Sequence, residues 1–112
     1  MSWTGNLIVT KSTEHSITDV SVTHTCGEFI DSASAATLAS NTSTAPIKMR
    51  GQSGHDDLWN VSFKLNGETI GRSGKQCNFE QEDAGKTIYI LLHESNFSIV
   101  CPESDSCVDN HY

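Results

Sequence analysis

Leu58-Trp59-Asn60-Val61-Ser62-Phe63-Lys64-Leu65 carries the clearest pattern in the chain. Trp59, Val61, Phe63 and Leu65 fall on one side of a period-two repeat, with Asn60, Ser62 and Lys64 on the other. That alternation is the mark of a half-buried β-strand. Asn66-Gly67 follows at once. Both residues tolerate positive φ, so the pair suits a type I′ hairpin turn and returns the chain antiparallel through Glu68-Thr69-Ile70-Gly71-Arg72.

The same rhythm recurs on either side. Residues 6–10 read as a first strand, and Ile17 to Thr25 places Val20, Val22 and His24 on one face. Residues 75–79, after Gly74, suit a further hairpin partner. Residues 80–85 read as a turn or one short helical turn. Thr87 to His93 is apolar on both faces, as a central strand would be. Asn96 to Cys101 then reads as the last strand, ended by Pro102. Asp31 to Ala45 is rich in Ser, Ala and Thr, which predicts a long loop with one short strand around Ala36-Thr37-Leu38, before a strand over residues 45–49. Seven to nine strands at spacings of about eight to twelve residues predict an all-β fold. The expected architecture is one antiparallel β-sandwich domain over residues 1–112, of Greek-key or immunoglobulin-like type.

Composition agrees. Of 112 residues, 15 are Ser and 11 are Thr, and hydrophobic residues make up only 36%, a balance unlike that of a helical bundle. The net charge of −7 disfavours nucleic acid or an anionic membrane held by charge, since both need a basic face. The longest apolar run, residues 88–92, is far short of a membrane span. The start shows no charged segment followed by an apolar one, so no signal peptide is visible. A leaderless cytoplasmic protein or a processed secreted chain is expected.

Four cysteines, Cys26, Cys77, Cys101 and Cys107, allow three pairings. The short spacing around Pro102 makes a local Cys101–Cys107 closure feasible, leaving Cys26 and Cys77 to pair across the fold. The alternative is four buried thiols. Zinc is disfavoured, because there is no C-x-x-C and no histidine at a finger-like distance from a cysteine pair. No metal or cofactor is expected. Asn41, Asn60 and Asn96 each open an N-glycosylation acceptor triplet.

Catalytic patterns are poor: G-x-S-x-G, H-E-x-x-H and phosphate-loop motifs are all missing. His55-Asp56-Asp57 is the densest polar cluster before a strand, and reads first as a loop of Asx-type turns after Gly51 and Gly54. Glu80, Glu82 and Asp83 offer hard oxygens without EF-hand spacing, so a solvated turn is the better reading. The tail with Glu103, Asp105 and Asp109 reads the same way. Trp59 belongs to the core. Trp3 either plugs the open end of the sandwich or offers an exposed ring for a sugar or a membrane interface. His24 reads as a satisfied core or edge histidine.

The opening G-N-L-I-V-T-K-S-T at residues 5–13, followed by I-T-D-V-S-V at residues 17–22, resembles the small fungal fruit-body β-sandwich proteins, among them the aegerolysins and the actinoporin-like mushroom lectins. The likeness covers roughly the first thirty residues. The four cysteines and the two tryptophans depart from the aegerolysins, which are more aromatic. The resemblance implies a non-enzymatic binding protein of defence or storage type that recognises a carbohydrate or lipid head group. Exposure and loop position select Trp3, His55, Asp56 and Asp57 as its contacts. The alternative is a protein-receptor ligand acting through its surface, as effectors, toxins and sweet-tasting proteins do. A hydrolase or nuclease built from scattered histidines and carboxylates is the third option. Sheet edges make a homodimer a further expectation.

Overall fold

In the computed structural model of the protein, residues 2–11, 16–93, 96–104 and 106–109 are described. Alternation in the sequence becomes alternation in burial. The strand Asp57–Leu65 buries Asp57, Trp59, Val61 and Phe63 and exposes Leu58, Asn60 and Lys64. Asn66 and Gly67 take φ of 53° and 80°, as the hairpin turn requires. In chain order the strands are β1 (Ser2–Lys11), β2 (Ile17–Cys26), β3 (Phe29–Leu38), β4 (Ile47–Gln52), β5 (Asp57–Leu65), β6 (Glu68–Gln76), β7 (Thr87–Leu92), β8 (Phe97–Val100) and β9 (Cys107–Asp109). A single 3-10 turn, Gln81–Asp83, lies between β6 and β7.

Two sheets form, one of order β3-β2-β5-β6 and the other β4-β1-β7-β8-β9. Their inward residues make one core. Val22, Trp59, Val61 and Phe63 from the first sheet meet Leu7, Val9, Ile88, Ile90, Phe97 and Ile99 from the second. This is a β-sandwich, and β7 is the central strand of its sheet, as its apolar character predicts. Among the described residues every strand pair is antiparallel except β1 with β7, which run parallel. The order also departs from an immunoglobulin sandwich, where the second and third strands sit in opposite sheets. Here Gly27, at φ 59°, folds β2 straight back onto β3. A Cβ at Gly27 would stand 2.1 Å from Gln52 Oε1.

The predicted long loop over residues 31–45 is instead mostly strand. β3 runs ten residues and pairs with β2 along its length. Its fully buried inward side chains are only Ala33 and Leu38, too few and too small to write an alternation. The expected turn at Gly74 is a bulge within β6. Asn60 Oδ1 accepts the Gly74 N–H at 2.7 Å and the Ser73 hydroxyl at 3.2 Å, and the β5–β6 register shifts between Trp59 and Val61. β8 is not the final strand, since β9 adds to its free side.

The cysteine reading changes most. Cys77 is bonded to Cys107, and Cys26 and Cys101 are buried thiols. Neither the local Cys101–Cys107 closure nor a Cys26–Cys77 bridge forms. Cys77 follows the edge strand β6 and Cys107 opens the edge strand β9, so the bond laces the two sheets together along one side. On the other side Arg50 of β4 reaches Asp31 of β3, with the backbone N–H and Nη2 donating to the carboxylate at 2.9 and 3.0 Å. The same guanidinium lies 4.6 Å from the centre of the Phe29 ring, a cation–π contact.

Candidate functional site

At one end of the sandwich the chain places polar residues where its strand rhythm demands apolar ones. Asp57 starts β5 at an inward position and is 2% exposed. A carboxylate there needs partners. His24 of β2 supplies one, as its Nε2–H donates to Asp57 Oδ2. Among the described residues the other ring nitrogen, Nδ1, has no hydrogen-bond partner. The imidazole packs at 4.5 Å from the Trp59 ring and 6.3 Å from Phe79. Cys26 pairs with Asp57 in the β2–β5 register. The Gln52 N–H donates to its sulfur at 3.2 Å.

Cysteine, aspartate and histidine therefore meet, but not as an activated nucleophile. Burial pushes the Cys26 thiol above its ordinary value, and the charge of Asp57 adds to this despite a hydrogen bond from the Gln52 backbone. Nucleophilic cysteines need the opposite shift. The cluster instead anchors the start of β5 under the loop Ser53–Asp56.

Trp3 enters from the other sheet. In the β1–β4 register it lies opposite Gly51, where a Cβ would stand 2.3 Å from its Nε1. Only glycine lets the indole settle there. Its Nε1–H donates to the Phe79 carbonyl at 3.1 Å, and the two rings meet edge to face at 6.5 Å. The ring is half-buried: it closes the end of the core while keeping one part at the surface.

These placements open a groove of about 370 Å³. All four residues selected from the sequence, Trp3, His55, Asp56 and Asp57, line it. His55 and Asp56 are exposed, as expected, whereas the exposure assumed for Asp57 does not hold. Gln52 and Asn78 line the same groove and were not singled out in the sequence, and Glu80, read there as part of a solvated turn, joins them. Their common signal is polarity at the ends of adjacent strands, which becomes informative only once the strands are assembled.

A larger groove of about 570 Å³ follows the disulfide, with Glu80, Glu82 and Glu103 on its walls and none of the four selected residues. Asp83, expected in a solvated turn, is fully buried beside it. Its Oδ1 accepts the N–H groups of Glu103 and Ser104 at 2.9 and 3.0 Å. Its Oδ2 accepts the Ser104 hydroxyl and the Glu80 N–H. Those bonds spend the carboxylate on the fold rather than on a cation. Among the described residues no three metal-binding side chains converge, and no helix is long and apolar enough to cross a membrane. Of the other acidic tail positions, Asp105 lies outside the described residues, and Lys86 pairs with Glu103.

The three glycosylation acceptors differ in setting. Asn41 is exposed at a turn with φ 58°. Asn60 commits its carbonyl to the β6 bulge, and Asn96 is half-buried before β8.

Compared with known proteins, the sequence matches no family model and no curated protein. The chemistry of the groove must therefore carry the functional argument.

Proposed function

We propose that the chain is a non-enzymatic binding protein that recognises carbohydrate in the groove beside Trp3. The observation that supports this reading is the convergence of Trp3, His55, Asp56 and Asp57 on that single groove. A sugar offers an apolar C–H face and a ring of hydroxyls. An indole suits the first, and carboxylates and amides suit the second. Between a carbohydrate and a lipid head group, the lining favours the carbohydrate. It holds Asp56, Asp57 and Glu80 and no Lys or Arg, whereas a phosphate calls for Arg, Lys or a set of converging N–H groups.

A glycan array followed by titration calorimetry tests this. Saturable binding is expected, weakened by at least about tenfold in Trp3→Ala and in the exposed-site variant Asp56→Asn. Blank results on both the array and vesicle pelleting sink the reading. A second reading, a ligand for a protein receptor, draws on the disulfide-braced groove with its three glutamates. It requires a basic receptor surface and a saturable one-to-one complex.

A further inference from the structure

Cys77, Cys101 and Cys107 meet at one end of the core. The Cys77–Cys107 bond joins the chain just after β6 to the start of β9, and Cys101 is a buried thiol. Cys101 follows β8 and touches the chain neighbours of both bonded cysteines. Its thiol donates at 3.9 Å to the carbonyl of Asn78, the residue after Cys77. Its backbone N–H donates at 3.0 Å to the hydroxyl of Ser106, the residue before Cys107. Ile99 faces Cys107 in the β8–β9 register, so Cys101, two residues on, lies on the same face of that hairpin as Cys107. Diagonal neighbours of this kind stand roughly 7 Å apart. Bridging them asks for a small movement of β9, which has three residues and pairs along one side with β8.

We propose that Cys101 is an exchange thiol that moves this disulfide from Cys77–Cys107 to Cys101–Cys107. The Cys101 thiolate attacks the Cys107 sulfur, the Cys77–Cys107 bond breaks, and Cys77 leaves as a thiolate that takes up the proton Cys101 gave up. One disulfide and one thiol stand on each side of the step, so no oxidant or reductant is consumed. The first bond braces one sheet against the other. The second closes a loop inside a single hairpin. The exchange therefore unlatches the two sheets and frees the Cys77 thiol on the wall of the groove of about 570 Å³ that Cys77 and Cys107 both line.

Chain length favours the second bond. The native one spans 30 residues, and Cys101 to Cys107 spans six. In an unfolded chain the shorter loop closes more readily by roughly tenfold, the three-halves power of that ratio. The folded sandwich holds the opposite choice. Burial pushes the Cys101 thiol above its ordinary value, and the charges of Asp83, Asp57 and Glu80 add to this against a hydrogen bond from Ser104. The thiolate is the attacking form. The latch thus stays closed near neutrality and opens as alkali or loosening of this end releases the thiolate.

The intact chain is incubated without added thiol from about pH 7 to about pH 9.5, quenched in acid, blocked with a maleimide and mapped for linked peptides. The expected result is a Cys101–Cys107 peptide with Cys77 labelled. Its rate should rise roughly tenfold per pH unit until the thiol is ionised, and should not depend on protein concentration. In urea the Cys101–Cys107 form should exceed the native pairing by roughly tenfold. Cys101→Ser and Cys101→Ala should keep Cys77 protected in native buffer, while Cys26→Ser leaves the exchange intact. A wild type whose Cys77 stays protected at every pH overturns the proposal, as does a native pairing that persists in urea. So does labelling of Cys77 that is as fast in both Cys101 variants, or that scales with protein concentration, which would give the exchange to Cys26 or to a second chain.

Discussion

The two long sides of the sandwich are closed by opposite means. Along β3 and β4 the closure is ionic: Arg50, 41% exposed, holds Asp31, 10% exposed, and rests on Phe29. Along β6 and β9 it is covalent, through Cys77–Cys107. The difference follows from what each side can bury. β3 and β4 run ten and six residues, enough for side chains to hold the seam by packing. β9 has three residues and pairs only with β8, so it contributes little apolar area of its own. A bond that spans 30 residues stabilises such a strand chiefly by restricting the unfolded chain.

The largest expected effect comes from cutting the covalent side. Cys77→Ala with Cys107→Ala should lower stability by about 3–4 kcal/mol in urea titration, and reductant should do the same to the wild type. Mass spectrometry after denaturing alkylation should find Cys26 and Cys101 labelled and Cys77 and Cys107 protected.

Next comes the carboxylate behind that side. Burial raises the Asp83 carboxyl, but hydrogen bonds from Ser104, Glu103 and Glu80 outweigh it and hold it below the ordinary carboxylate range. A depressed native value means a contribution that is complete above the unfolded value, near about 3.9. It is lost as pH falls through the lower native one. Asp83→Asn should cost about 2–3 kcal/mol at neutral pH. Its deficit relative to wild type should shrink on acidification below about pH 4.

The smallest effect belongs to the ionic side. Arg50→Ala should cost about 1 kcal/mol, part of it lost packing on Phe29. High salt should narrow the difference between variant and wild type. An Arg50→Ala loss as large as that of the cysteine pair would erase the contrast between the two sides.

Much of this fold is legible in single strands, and little of it in how they meet. β5 announces itself because its inward residues, Trp59, Val61 and Phe63, are large and strictly alternate. β3 hides because Ala33 and Ala35 carry almost no hydrophobic contrast against Ser32 and Ser34. The bulge at Gly74 looks like a turn in sequence, since the side-chain oxygen that accommodates it belongs to Asn60, on the neighbouring strand. Cysteine spacing favours the nearest loop, whereas the bond joins whichever edges the two sheets bring together. The candidate site divides the same way. His55 and Asp56 were visible as loop residues. His24 was visible as a polar residue on an apolar face, but its partner Asp57 lies 33 positions away.

The parallel pairing of β1 with β7 has a consequence for how the chain reaches this state. The four-stranded sheet is complete by residue 76 and consists of two hairpins joined by the contact of β2 with β5. The other sheet must wait. On a ribosome, β1 emerges ahead of the other strands described, yet gains its second neighbour only when residues 87–92 appear. Until then Leu7 and Val9 lack the strand that covers one side of theirs. Contacts of such sequence separation are slow to close, so β1 is secured well after β2 and β5 have met.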